Sequence, residues 1–270
     1  MTGKPFHVCL IGAGRMGLAI AEGLVEAASC GQLDIVEPTP SERVRDLAGR
    51  DTVELNGAPR PVDILILAVK PQVFASAADT ICPWIGERTV VVSIMAGISI
   101  RLMSDTLGTP FIVRAMPNLP AQIGEGATGF ALAPTAGPEA ERAARAVLGP
   151  LGLVVGPVAE ELMPAIVGIA GSAPAYVFAL VECLTEAGIS EGLDPDMAAA
   201  LAHQTAIGAG ALLASDRRIT AAERREAVTS PGGTTQAALG VLMAPEGLPS
   251  VVQDTVRAVI RRDRELGENK

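Results

Sequence analysis

The stretch "HVCLIGAGRMG", His7 to Gly17, constrains this chain more than any other. A run of apolar residues ends in three glycines, Gly12, Gly14 and Gly17, spaced G-x-G-x-x-G, and a helical pattern starts at Met16. The first glycine permits a tight turn, the second lets a pyrophosphate approach the backbone, and the third lets helix pack on strand. The helix N-terminus then faces the negative charge. The context reads as the opening of a βαβ unit that holds a dinucleotide.

The pattern continues through "LDIVEP", "VDILILAVKP", "TVVVSIMAG" and "PFIVRAMPN", with a helix over Met16 to Ala28 and a short helix after the second strand. Runs that are apolar at every residue mark parallel strands covered on both faces. Alternation with helices makes the sheet doubly wound. From about Pro157 no further strand pattern is read, and Ala, Leu, Gly and Met recur at helical spacing. Helices are expected at Glu160–Glu191, bent or broken near its prolines, and at Asp194–Ser215, opened by an Asp194 cap and Pro195 in the first turn. Others are expected at Ala221–Val228, Thr234–Met243 and Leu248–Arg264. The plan is an α/β, Rossmann-type dinucleotide-binding domain over residues 1–158 and an all-helical domain over 159–270.

A net charge of −9 leaves no basic stripe for a phosphate backbone, so no nucleic acid partner is expected. Aromatic residues are only 3% of the chain. The core must therefore be built from Ala, Val, Leu and Ile, which suits close helix packing and intimate oligomer contacts. Cys9, Cys30, Cys82 and Cys183 contain no CxxC pair and read as buried thiols in a reducing compartment. With His7 and His203 the only histidines, no metal site is expected. The N-terminus lacks the pattern of a signal peptide, which points to the cytoplasm. Leu162–Val181 has twenty uncharged residues, enough to cross a bilayer. Pro164, Pro174, two glycines and Ser172 interrupt it, and it has no basic flank. Together with Met197–Ser215, which holds His203, Gln204 and Thr205, it reads as buried core helix, with no membrane contact.

Glu37 lies twenty residues after Gly17, where an acid accepts from a ribose 2′-OH and leans toward NAD. Ser41 and Arg43 nearby could instead hold a 2′-phosphate, so NADP stays open. Lys70, the one lysine away from the termini, ends "ILILAVKP" at the carboxyl edge of the sheet. At the far end of the chain stands "VTSPGGTTQAALGVL". Pro231 stiffens the entry, Gly232 and Gly233 free the backbone to turn, and Thr234 is the expected N-cap. Such a loop presents amides at a helix N-terminus, a place for a carboxylate. An ordinary capped turn would read the same from this stretch alone. His7 is expected to be buried beside the first strand, and His203, Tyr176 and Phe178 to be packing residues. Arg114 suits either cleft geometry or a structural ion pair.

Taken together, "IGAGRMG", "AVKP", "VVSIMAGIS", "RAMPNLP", "GSAPAYVF" and "VTSPGGTTQAALGVL" resemble the pyrroline-5-carboxylate reductase family over nearly the whole chain. The last stretch is that family's signature. The resemblance implies NAD(P)H-dependent reduction of Δ1-pyrroline-5-carboxylate to L-proline. It also implies a helical dimerisation domain that interlocks in a homodimer, in some members assembled further into a ring of dimers. By the same resemblance, amides of Ser230, Gly232, Gly233 and Thr234 hold the substrate carboxylate, and the Thr235 hydroxyl approaches the ring nitrogen as the catalytic group. Ile11, Gly12, Ala13, Gly14, Arg15 and Met16 line the pyrophosphate. Asn56, Ala68, Val69, Lys70, Pro71 and Ala96 line the riboses and nicotinamide, and the Met116-Pro117-Asn118 turn shapes the cleft, with Asn118 counted among the cofactor residues. Hydride transfer to a cyclic iminium needs positioning and a partner for the ring nitrogen, not a nucleophile or strong base.

Arg15, Leu119 and Ala173 depart from the family's commoner residues, which leaves ring size and nucleotide preference open. The alternatives are a reductase of another cyclic imino acid and a non-catalytic, dinucleotide-binding regulatory paralogue. A hydroxyacid dehydrogenase is disfavoured, because the helical half has no interior lysine.

Overall fold

The computed structural model describes residues 5–268. The chain divides into two compact units: the first ends at Ser172 and takes in the chain again from Val259 onward, and the second is Ala173–Ala258.

The first unit is built on an eight-stranded sheet in the order β3-β2-β1-β4-β5-β6-β7-β8. Its strands are β1 His7–Ile11, β2 Gln32–Val36, β3 Val53–Leu55, β4 Ile64–Leu67, β5 Val90–Ser93, β6 Ile112–Met116, β7 Gly126–Leu132 and β8 Gly152–Val158. Among the described residues, β6 and β7 alone pair antiparallel. Every residue of β4 and β5 is buried, as expected of strands covered on both faces. The helices of this unit are α1 Arg15–Glu26, α2 Glu42–Leu47, α3 Ala78–Ile81, α4 Ile100–Leu107 and α5 Gly137–Leu148, followed by α6 Met163–Ile166 and a π turn, Val167–Gly171. Strand order reverses between β1 and β4, and the carboxyl ends of strands at such a point form the usual ligand crevice.

The expected strands correspond to β1, β2, β4, β5 and β6, whereas β3, β7, β8, α3, α4 and α5 went unread. β7 is rich in small residues for a packing reason: a Cβ on Gly129 would lie 2.6 Å from Ile166. β8 carries Gly152, Gly156 and Pro157, poor strand formers tolerated at a sheet edge.

Two polar clusters brace this unit. Asp34 is fully buried, and its two carboxylate oxygens are taken by the His7 ring at 2.7 Å and by Arg60 at 2.8 Å. A buried carboxylate needs such partners. His7 is therefore held by a charge partner and stays about a quarter exposed, not buried as expected. Arg114 on β6 is buried and pairs with Glu160 at 3.2 Å and Asp263 at 3.6 Å, which makes it the structural ion pair of the two readings.

The second unit holds α7 Ala173–Ser190, α8 Pro195–Ser215, α9 Ala221–Ala227 and α10 Thr234–Leu242; α11, Leu248–Glu268, starts in it and ends in the first. Asp194 caps α8 by accepting from the amides of Asp196 and Met197, as its sequence predicts. α7 and α8 pack closely, with Gly188 against Ala198. They are not core helices, however. Val177, Phe178, Leu180 and Leu184 on α7, and Met197, Leu201, Ile207 and Leu212 on α8, are exposed in the single chain. His203 is exposed as well. Both helices are apolar all round, a pattern that calls for cover without saying which chain supplies it. The cysteines are likewise not all buried. Cys9 is, and its thiol is pushed up by burial and then by the Asp34 carboxylate. Cys82 and Cys183 are exposed.

Candidate active site

At the reversal point, the glycine turn connects β1 to α1. The Gly12 amide donates to the Val36 carbonyl at 2.9 Å, and the Ala68 amide donates to the Ile11 carbonyl at 2.9 Å, so the ends of β1, β2 and β4 are laced together. Gly12 has φ +93°, and a Cβ there would stand 2.8 Å from the Ala68 carbonyl oxygen. A Cβ on Gly17 would stand 2.1 Å from the Gly12 carbonyl oxygen. Gly14 faces open space, with nothing within 4 Å of where its Cβ would be. Two glycines thus close the packing and the middle one leaves the backbone bare. That is a cradle shaped for a pyrophosphate, and the residues present fit a dinucleotide.

A cleft of about 380 Å³ opens beside this turn, lined by Ile11, Gly12, Gly14, Glu37, Ala68 and Lys70 among others. Val69 lines it too, and Pro71 opens the short 3-10 turn that follows Lys70. Glu37 at the end of β2 reaches back into the turn. One carboxylate oxygen accepts from the Ala13 amide at 2.9 Å, and the other from the Thr39 amide and hydroxyl at 3.0 and 3.1 Å. Partial burial alone would raise its pKa, but these donors outweigh it and hold the carboxyl below the usual range. Arg15 is exposed and Met16 half-buried in the first turn of α1; Ala96 is half-buried in the loop after β5.

Two predicted cofactor residues bond through their side chains to the backbone of the protein. Asn56, at φ +54°, pairs reciprocally with the Glu37 backbone: its Oδ1 accepts from the Glu37 amide at 2.9 Å and its Nδ2 donates to the Glu37 carbonyl at 3.0 Å. These bonds tie the turn after β3 to the end of β2. Asn118 is buried, with both ends of its carboxamide on backbone groups of Ala127 and Ala170. Thr39, which grips Glu37, was missed; an acid two residues before a threonine is too common a pattern to single it out.

In the second unit, the loop Ser230–Gly233 leads into α10. Gly232 takes φ +73°, and the Gly233 amide donates to the Ser230 carbonyl at 3.0 Å. The N-cap of α10 is Gly233, not Thr234 as expected; it takes an extended backbone and makes no side-chain cap bond, and a Cβ there would crowd the Ser230 side chain. Thr234 is the first helical residue and Thr235, half-buried, the second. The Gly232 amide donates to Gln236 Oε1 at 2.6 Å, a cap from within the helix that the sequence reading missed.

A family model described as pyrroline-5-carboxylate reductase dimerisation matches residues 160–266, and one described as NADP oxidoreductase, coenzyme F420-dependent, matches residues 7–97. A curated pyrroline-5-carboxylate reductase of Methanosarcina acetivorans is 35% identical over 265 residues, covering 96% of this chain and 97% of its own length. One from Pseudomonas aeruginosa is 34% identical over 269 residues, covering 97% of each. Among solved structures, a pyrroline-5-carboxylate reductase from Coxiella burnetii superposes with a TM-score of 0.86 at 28% identity, covering 97% of this chain and 99% of that one. A Plasmodium falciparum pyrroline carboxylate reductase, solved with NADP bound, shares the fold with a TM-score of 0.80 at 24% identity, covering 98% and 100%.

Proposed function

The chain belongs to the pyrroline-5-carboxylate reductase family, and on that premise we propose how its residues divide the work. The reaction is reduction of Δ1-pyrroline-5-carboxylate to L-proline by a hydride from a nicotinamide dinucleotide. Residues 1–158 bind the dinucleotide, and residues 159–270 bind substrate and dimerise. When bound, the dinucleotide supplies the hydride. The turn Ile11–Met16 holds its pyrophosphate, and Ala68, Val69, Lys70, Pro71 and Ala96 flank the remainder. Amides of the Ser230–Thr234 turn take the substrate carboxylate, and the Thr235 hydroxyl partners the ring nitrogen as it passes from iminium to amine. The observation that supports this assignment most directly is the loop itself: it turns at Gly232, with φ +73°, into the N-terminus of a nine-residue helix, and a bound carboxylate would take the place of Gln236 and the Ser230 carbonyl as acceptors for the Gly232 and Gly233 amides. Turnover of five- and six-membered cyclic imino acids with NADH and NADPH tests the reading. No turnover of pyrroline-5-carboxylate overturns it.

Glu37 favours NAD over NADP, because an ionised acid accepts from a free 2′-hydroxyl and repels a 2′-phosphate. Glu37→Ser is expected to shift the NADPH-to-NADH ratio of kcat/KM by about ten-fold, roughly 1.4 kcal/mol. Equal discrimination by variant and parent would show that Glu37 is not the ribose reader. Because its carboxyl is held below the ordinary range, any stability it contributes is present above that range and lost only as pH falls through the lowered value. Glu37 should therefore add no step to NADH binding between about pH 5 and 8, checked by the dissociation constant of NADH alone across that window, since the 2′-phosphate of NADPH itself titrates near pH 6.

The homodimer covers the apolar faces of α7 and α8. Both stretches are long and apolar enough to cross a membrane, but a protein partner is the cover the dimerisation family implies. We assign the enzyme to the cytoplasm and allow a ring of dimers as the larger assembly. Leu201→Glu, on the exposed face of α8, is expected to halve the mass seen by sedimentation. A dimer of unchanged affinity would remove α8 from the interface.

A further inference from the structure

The turn into α10 is rich in donors and short of acceptors. Its N-cap, Gly233, has no side chain with which to accept, so the helix opens without a side-chain cap. Just ahead, the Gly233 amide donates to the Ser230 carbonyl at 3.0 Å and the Gly232 amide to Gln236 Oε1 at 2.6 Å. Gln236 is the third residue of the helix, the place from which a capping box reaches back to the N-cap amide. Here the carboxamide reaches one residue farther, to Gly232. An amide donor requires an acceptor, so the carbonyl oxygen, the negative end of the carboxamide, is the atom that meets it. From Ser230 to Gln236 the chain reads Ser-Pro-Gly-Gly-Thr-Thr-Gln, with no cationic side chain. Gln236 is itself exposed, so its side chain can swing out without opening a core. The turn thus carries its own neutral acceptor, on a tether that can let go.

We propose that Gln236 sets the affinity of this turn for the imino acid, holding the Gly232 amide as a placeholder that the substrate carboxylate must displace. The inference rests on the reading that the Ser230–Thr234 turn takes that carboxylate, and it makes Gln236 a competitor of the substrate, not a partner. Displacement is favourable because a bond from an amide to an ionised carboxylate is roughly twice as strong as one to a neutral carbonyl. The helix N-terminus adds to the preference for the anion. A neutral placeholder therefore yields to the substrate. A charged one would not.

Two variants should pull KM in opposite directions. Gln236→Leu removes the acceptor, and KM for pyrroline-5-carboxylate is expected to fall about three-fold. Gln236→Glu puts an anion on the tether, and KM is expected to rise at least about ten-fold. In both, kcat and the dissociation constant for NADH should stay within about two-fold, a split that a merely structural residue would not give. Leucine is a good helix former and an acid is favoured in the first turn, so both variants should fold, which thermal unfolding checks. A leucine variant with KM at or above the parent's overturns the proposal, and so does a glutamate variant with KM unchanged. Turnover by the parent decides the reading of the turn separately: with it, the ratios of KM decide the placeholder, and without it both fall.

Discussion

Thr235→Ala is expected to lower kcat/KM for pyrroline-5-carboxylate by about 10²-fold, close to 2.7 kcal/mol of transition-state stabilisation. The dissociation constant for NAD(P)H should stay within about two-fold, because the loop that carries Thr235 is assigned to the imino acid. Unfolding would not explain such a loss. Threonine is a poorer helix former than alanine, so the change at the second residue of α10 should leave the helix as stable or slightly more so. The hydroxyl is not the helix cap either, since Gly233 occupies that place without a side-chain bond. Thr235→Ser keeps a hydroxyl and should recover most of the rate, whereas the similarly shaped Thr235→Val should not. Steady-state kinetics on the four proteins, with fluorescence titration of the dinucleotide, separates the steps. A normal rate in the alanine variant would refute the role given to the hydroxyl.

What the sequence discloses about this enzyme follows from how local each feature is. The β1–turn–α1 unit is legible because Gly12, Gly14 and Gly17 obey steric demands set within ten residues of chain. β4, Ile-Leu-Ile-Leu, and the three valines that open β5 are legible because burial on both faces favours an apolar side chain at every position; the polar Ser93 comes only at the end of β5. β7 is not, because Gly129 answers to Ile166, more than thirty residues away. Spacing alone finds Glu37, but the return of its carboxylate to the Ala13 amide requires the folded turn. Asn118 shows the same limit in a sharper form. A polar residue in a turn at a strand end reads as a ligand contact, and only the fold reveals that its carboxamide is taken by the Ala127 amide and by the Ala170 carbonyl, more than fifty residues along the chain. The helical half misleads for a different reason. Leu201, Ile207 and Leu212 read as core but stand exposed in the single chain, the pattern expected where, on the reading proposed above, a second chain supplies the cover.

Gly14→Ala and Gly17→Ala, two substitutions three residues apart and chemically identical, are expected to fail in opposite ways. At Gly17 the added methyl would meet the Gly12 carbonyl oxygen at 2.1 Å and its carbon at 3.1 Å. Both are backbone atoms of a turn already laced to Val36 and Ala68, so nothing yields cheaply. Overpacking of this kind costs about 2–3 kcal/mol, which for a chain of this size lowers Tm by roughly 5–10 °C, and the distorted turn should lose its dinucleotide. At Gly14 the backbone is already extended, with φ −66° and ψ −168°, and the methyl meets nothing. The cost to folding should stay below about 1 kcal/mol, the modest loss of replacing glycine by alanine at an N-cap. That methyl projects, however, where a pyrophosphate must come against bare backbone, so the dissociation constant for NAD(P)H should rise at least about ten-fold with Tm nearly unchanged. Calorimetry of both proteins, free and titrated with NADH and NADPH, gives the two quantities independently. If Gly14→Ala binds dinucleotide like the parent, the cradle is not at this turn, and the cleft beside Glu37 loses its claim to the hydride donor.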